Sequence, residues 1–469
     1  METLIISLGA AAYFVFALAR IETAVTGLSL FFPLYLVKGD FGGLPFTFVE
    51  ALIYATALAS VIGWIRESLF SGGRGFLGRF RSFFVGLKDY LAPKESFFHR
   101  YRYLLIGVFG FVLAALLSFL VTKTGIPLID GQIFPGQRVA LGILKGWIIA
   151  PVIYLLLLLA IVRGSEGVFK ALNGYAFSAV ILSLWAIFQV VTGHYITPDA
   201  RASGPFESAN YLALFITPAL LYLVIKVREM FQGKSRVISI GAFIACVVLF
   251  VALIATKSYA AMIALAAAAL FYFGAEYRSY CIKRGVKAFS WKLPLLLVIF
   301  AGLILFVVFA VDPSKWQAMF QFGQRNSSSV RLEVYSIAWG LIKDNWLFGI
   351  GMGQFPALYQ VDATAILGHV PYEWNMLHPH NLYLALWLNL GLLGLASFLY
   401  LIVVAVKRVW GCLKDFIGEK RGGAGKLRVV LFAMLLIILV HGIFDTPFFK
   451  NDLALLFWLI LGSIFVQSE

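Results

Sequence analysis

The sequence predicts an all-α polytopic membrane protein, a bundle of twelve or thirteen spanning helices with one large loop outside the bilayer. Three observations carry that expectation. Of the 469 residues, 61% are hydrophobic and only 13% are charged, far more apolar side chain than one soluble core requires. Apolar runs long enough to span a bilayer recur from end to end. Between them the basic residues fall in alternating blocks.

The runs lie near 4–19, 23–37, 46–65, 103–121, 139–162, 168–191, 209–225, 238–255, 258–274, 293–311, 381–406, 429–445 and 453–467. The first has no basic n-region and no small-residue cleavage site, so it is expected to remain as a membrane segment. Loops 66–102, 226–237, 275–292 and 407–428 hold 24 of the 38 Lys and Arg residues, and the positive-inside rule assigns them to the cytoplasm. That asymmetry explains most of the net charge of +15. Anionic lipid suffices as its partner, and no nucleic acid is implied. Segments 122–138, 192–208, 312–380 and 446–452 then face outward. The chain divides into a membrane region 1–311, an outer loop 312–380 and C-terminal membrane helices 381–469. Cys246, Cys281 and Cys412 stand at no metal-ligand spacing, so neither a disulfide nor a metal is expected. No internal repeat is evident.

Polar residues at the outer helix ends carry the chemistry, because burying them without partners is costly. In GHYITPDARASGPFESANYLA, 193–213, Gly204-Pro205 makes a turn, and Ser208 or Asn210 can cap the next helix. Arg201 is left without an explanation. It needs an anion, or a carboxylate such as Asp199 or Glu207. In 324–355, Val330, Val334, Ile337, Ala338, Leu341 and Ile342 recur at helical spacing and predict an amphipathic helix in the outer loop. Ser328 or Ser329 is its expected cap. Arg331 then sits in the first turn, where the helix dipole disfavours a cation. Either Glu333 offsets it, or serine hydroxyls, backbone N–H groups and the guanidinium bind a phosphate together. Arg325 could supply a second positive fork. Gly349, Gly351 and Gly353 form a turn that no strand precedes, a weak nucleotide signal.

The third cluster is HPHNLYLALWLNLGLLG, 378–394. At ~100° per residue His380, Trp387, Gly391, Gly394 and Phe398 share one stripe. The glycines would admit a neighbouring helix, and His380 would face the bundle interior at its outer mouth. Asn381 can hold the histidine ring or begin the helix. A fourth stretch pairs His441 with Asp445 at i, i+4, expected as a structural contact. Lys257 and Tyr259 occupy a hairpin that could reach the same mouth.

These residues resemble the O-antigen ligase family, with its related O-antigen polymerases and O-linked oligosaccharyltransferases. His380-Asn381, nine residues, Gly391, two residues, Gly394 is similar to the family's histidine motif. RASGPFESANYLA resembles its Arg…Gly-Phe…Asn-x-x-Ala stretch, and RLEVYSIAWGLIKDNWLFGIGMGQF its Arg-led helix with a Gly-x-Gly turn. The likeness spans about 190–460. One departure stands out: the family often has Ser-Arg where this chain has Ser258-Tyr259 preceded by Lys257, a weaker bidentate partner for phosphate.

The resemblance implies transfer of a glycan from undecaprenyl pyrophosphate to an acceptor hydroxyl at the outer, periplasmic face of the cytoplasmic (inner) membrane. A leaving pyrophosphate needs cations, and an incoming hydroxyl needs a base. Arg201 and Arg331 are the expected catalytic cations and His380 the base. Arg325, Lys257, Tyr259, Asn381, Asn210 and Ser329 are expected to bind substrate. Asp362 and Glu373 show no Asp-x-Asp pattern, so a metal-independent, inverting displacement without cofactor is expected. The expected acceptor is lipid A–core; a polymerase would use another lipid-linked repeat, and a protein transferase a Ser or Thr. A lipid-linked glycan transporter, from a different class, would place charges along a path through the spans, where Lys145 is the main one.

Overall fold

The computed structural model describes residues 2–70, 97–231, 236–284, 327–417 and 423–466. Its helices are Glu2–Ala19 (α1), Ile21–Gly27 (α2), Phe48–Phe70 (α3), Phe97–Val121 (α4), Gly136–Ile143 (α5), Ala150–Ile161 (α6), Gly164–Thr192 (α7) and Ala209–Phe231 (α8). There follow Arg236–Ala255 (α9), Tyr259–Lys283 (α10), Ser327–Asp344 (α11), Phe355–Leu367 (α12), Leu382–Ile417 (α13), Gly423–His441 (α14) and Asn451–Phe465 (α15). Among the described residues, eight helices are long and apolar enough to cross a membrane, with shorter apolar helices at Ile21–Leu36, Ile240–Ala255 and Asn451–Phe465. The protein is an all-α, multi-pass membrane protein. The run expected at 293–311 lies outside the described residues, as does most of loop 66–102.

At the centre stands α15, buried along its whole length from Asn451 to Ile464. An apolar helix without a polar face belongs in an interior, and α15 packs against α6 and α14. Rings from α4, α13 and the preceding loop close on it: Phe398 stacks on Phe457 with centroids 5.1 Å apart, and Phe111 meets Trp458 edge-on at 6.0 Å.

Several expected spans are not simple helices. The 23–37 run is α2 followed by a 3₁₀ segment, Leu28–Leu36, because Pro33 cannot continue an α ladder. A small hairpin, Lys38–Phe41 (β1) against Leu44–Thr47 (β2), joins it to α3. The 139–162 run contains a π turn, Leu144–Ile149, between α5 and α6. Lys145 in that turn pairs with Glu50 of α3, and Asn451 donates to Glu50 at 2.9 Å. The charge singled out within the spans is therefore neutralised locally.

Helices α11 and α12 share a second core. Val334, Ile337, Ala338, Leu341 and Ile342 are buried in it, with Val330 packed at its edge, as the periodicity predicted. This core rests on the first part of α13, which breaks at Gly391 (φ 66°, ψ −172°). The chain between α11 and α12 fills the break: Ile350 N–H donates to Leu388 O at 2.8 Å, and Leu392 N–H donates to Leu347 O at 3.1 Å. A Cβ on Gly391 would lie 2.3 Å from Leu347 O, and one on Gly349 would lie 2.3 Å from Leu388 O. The expected stripe from His380 to Phe398 is thus interrupted. Gly391 receives the outer loop's backbone, not another helix, while a Cβ on Gly394 would meet Leu390 of its own helix.

Candidate active site

One end of the bundle gathers three loops: 193–208 before α8, 368–381 before α13, and 442–450 between α14 and α15. Each is held by a specific device. Gln189 of α7 accepts the Ser203 and Gly204 N–H groups at 3.0 and 2.9 Å and donates to Gly204 O at 2.7 Å. Asn381 caps α13, its Oδ1 accepting from Tyr383 and Leu384 N–H at 2.9 and 3.0 Å. Its Nδ2 donates to Ile443 O at 3.0 Å, and Leu382 N–H donates to Gly442 O at 2.7 Å. Of the two roles open to Asn381, the structure gives it helix initiation.

Asp445 is the hub. Its side chain is 2% exposed, and its Oδ1 lies 3.8 Å from His378 Nδ1 and 3.7 Å from His380 Nδ1. Its Oδ2 accepts from Asn210 Nδ2 at 2.9 Å. Asn210 Oδ1 in turn accepts from Arg201 Nη2 at 2.8 Å, while Arg201 Nε donates to Thr256 O at 2.7 Å and Nη1 faces Asp199 at 3.5 Å. Ser208 caps α8, its hydroxyl accepting from Asn210 N–H at 3.2 Å; the Asn210 side chain is thereby freed to join Arg201 to Asp445. Burial alone would raise the Asp445 pKa. His380, 3.7 Å away, with His378 and His441 nearby, instead holds it well below the usual carboxylate range, so it stays ionised.

The expected His441–Asp445 contact takes another form. Asp445 N–H donates to His441 O at 3.0 Å, but the carboxylate turns toward the two loop histidines. Buried His441 keeps both ring nitrogens unpaired among the described residues.

Arg331 is brought to this hub by α11. Tyr335, one turn on, donates its hydroxyl to His380 O at 3.1 Å and to Ile443 O at 3.3 Å, which pins that face of the helix. Arg331 acts electrostatically on Arg201 and on His378. Among the described residues it has no hydrogen-bond or ion-pair partner. Glu333 does not offset it: that carboxylate accepts from Tyr372 N–H at 2.8 Å and faces His369 at 3.8 Å. The helix starts at Ser327, so Ser329 lies in its first turn. Lys257 and Tyr259 flank the α9–α10 turn beside the Thr256 carbonyl that anchors Arg201. Arg325 lies outside the described residues. Gly349, Gly351 and Gly353 form a packing turn, with Gly353 N–H donating to Asn389 Oδ1 at 2.7 Å.

Backbone strain marks the same place. Among the described residues, Ala200, Lys257 and His380 are the non-glycine residues in the left-handed region, with φ of 51°, 49° and 48°. Each adjoins the Arg201–Asp445–His380 network, and such strain persists only where surrounding contacts impose it.

Burial, and next the charge of His380, push the His378 pKa from its usual 6.5 down to about 4. Between those values the unfolded chain binds a proton that the folded site refuses, so stability falls as pH drops through that window. Thermal unfolding in detergent should show wild type losing melting temperature from pH 6.5 toward 4, with His378→Gln losing less. Equal losses would remove His378 as the cause.

A cavity of about 380 Å³ reaches His378 from the side of α8 and α15, lined also by Tyr211, Glu207, Trp147, Phe355 and Lys450. The Lys450 ammonium sits 3.6 Å from the Tyr211 ring centroid and 4.5 Å from that of Phe206. Burial lowers its pKa to about 8, with Asp452 and Glu207 opposing. His378, His380 and Asp445 offer ligand atoms within 4.8 Å of one another, a set able to hold a metal ion. Arg201 and Arg331 beside them disfavour a divalent cation and favour an anion.

Residues 244–399 match the family model described as O-antigen ligase. Over this stretch, about a third of the chain, the protein is similar to the O-antigen ligases. The O-antigen ligase match contains Lys257, Arg331, His378, His380 and Asn381, whereas Arg201, Asn210 and Asp445 lie outside it. The matched family is one of glycan ligases, which supports an enzymatic reading of the site. No curated protein matches the chain. Among the residues that complete the candidate site, Asp445 and Tyr335 were not singled out as site residues in the sequence. Tyr335 had a signal, its i+4 spacing from Arg331; Asp445 was assigned to the wrong histidine.

Proposed function

We propose that the protein transfers a glycan from undecaprenyl pyrophosphate to an acceptor hydroxyl on lipid A–core, at the periplasmic face of the inner membrane. The observation that carries this reading is the joining of His380 and the buried Asp445 to one arginine through Asn210, with a second arginine alongside that is unpaired among the described residues. In the proposed reaction His380 Nδ1–H faces Asp445, leaving Nε2 to take the acceptor proton. The acceptor oxygen attacks the anomeric carbon opposite the pyrophosphate. The carbon–oxygen bond breaks and its electron pair leaves with the pyrophosphate, whose charge Arg201 and Arg331 stabilise. Configuration at the anomeric carbon inverts. The cavity beside His378 suits an acceptor sugar, with aromatic rings for its apolar face and Glu207 for a hydroxyl.

The test is transfer in membranes from a pyrophosphate-linked lipid donor to lipid A–core, with product analysis. One glycan block on lipid A–core is expected. A ladder on the lipid carrier, or a glycoprotein, would replace the ligase reading by a polymerase or a protein transferase. Activity should survive EDTA; loss on chelation with recovery on Mg²⁺ would overturn the metal-independent mechanism.

A further inference from the structure

At the opposite end of the bundle, a cavity of about 640 Å³ opens between the start of α4 and the last turns of α13. Leu104, Val403 and Phe465 give it apolar walls, and Arg100, Lys407 and Arg408 bring three cations to it. Among the described residues none of the three has a hydrogen-bond or ion-pair partner. Arg428 lies within electrostatic range of Arg408, yet its own guanidinium is spent on the Ile464 and Val466 carbonyls at 3.2 and 3.4 Å. It adds like charge and no compensation. Tyr101, only 3% exposed, also lines this cavity, and its hydroxyl has no partner among the described residues.

We propose that this cavity binds the phosphodiester headgroup of an anionic phospholipid. Three convergent cations with no carboxylate partner among the described residues need an anion, and an orphaned hydroxyl can donate to a phosphate oxygen. The apolar wall above the cations fits the start of an acyl chain, which a soluble phosphate would not use. The site lies at the helix ends that lead into the basic loops, on the side the positive-inside rule gives to the cytoplasm. It does not depend on the transfer reaction.

The experiment is native mass spectrometry of the full chain after exposure to vesicles of equal phosphatidylglycerol and phosphatidylcholine. Wild type should retain phosphatidylglycerol selectively, and Arg408→Gln combined with Lys407→Gln should weaken retention about fivefold for each cation removed. Lys123→Gln, at the other end of the bundle, should change nothing. Tyr101→Phe preserves the ring and should lower retention in a folded protein; unchanged retention would remove the hydroxyl from the site. Equal retention of both lipids by wild type, or full retention by the double variant, overturns the proposal. Competition by inorganic phosphate as effective as by phosphatidylglycerol would show a soluble-anion site instead.

Discussion

His380→Asn is expected to lower glycan transfer by about 10²–10⁴-fold, the range of a positioned general base, in a protein that inserts and melts as wild type does. Asparagine is the chosen replacement because His380 holds φ 48°, a conformation that asparagine tolerates and alanine does not. The backbone anchors of this turn survive the change: the His380 carbonyl still accepts from Tyr335, and Asn381 still caps α13. What disappears is the ring 3.7 Å from Asp445. Measured in membranes with saturating lipid donor, the loss should fall on kcat. Transfer retained within a few-fold of wild type would make His380 a turn residue and move the search for a base to His378, whose ring lies 4.4 Å away.

Arg331→Ala should reduce transfer by about 10²–10³-fold, the cost of removing one donor to developing charge, without loss of melting temperature. The contrast is with Arg201→Ala. Arg201 holds the Thr256 carbonyl, Asn210 and Asp199, so its loss leaves buried acceptors unpaired at about 1–3 kcal/mol and should impair stability and transfer together. Arg331 has no such duties among the described residues. Arg331→Lys keeps the charge but not the planar fork, and should recover only part of the activity. Should Arg331→Ala unfold as readily as Arg201→Ala, the arginine is structural and the proposed pyrophosphate site loses its least ambiguous member.

Helix positions and the outer amphipathic helix were legible because apolar length and 3.6-residue periodicity are local properties: Val334, Ile337 and Leu341 could be marked as buried from spacing alone. Local patterning could not reveal where that regularity stops. The π turn at Leu144–Ile149 answers to Glu50, some 95 positions earlier, and the break at Gly391 answers to the chain at 347–350. The candidate site shows the same division. Arg201, Arg331 and His380 stood out because a cation or an imidazole beside lipid demands a reason. Asn210 read as a helix cap and Asp445 as the partner of His441, each explained by a neighbour in sequence. Their actual partners, each other, are 235 residues apart.

The exchange of main-chain hydrogen bonds between 347–350 and α13 bears on the order of assembly. When α13 first enters the bilayer, the backbone groups at its interruption have no internal partner, and hydrocarbon offers none. They are satisfied only after the segment preceding α13 has folded and docked against it. Insertion of α13 and maturation of that segment are therefore one event in time, and the turn bearing His378 and His380, which lies between them in the chain, is set in place only when it is complete. The candidate site is therefore a late product of biogenesis, completed only when the bundle around it is whole.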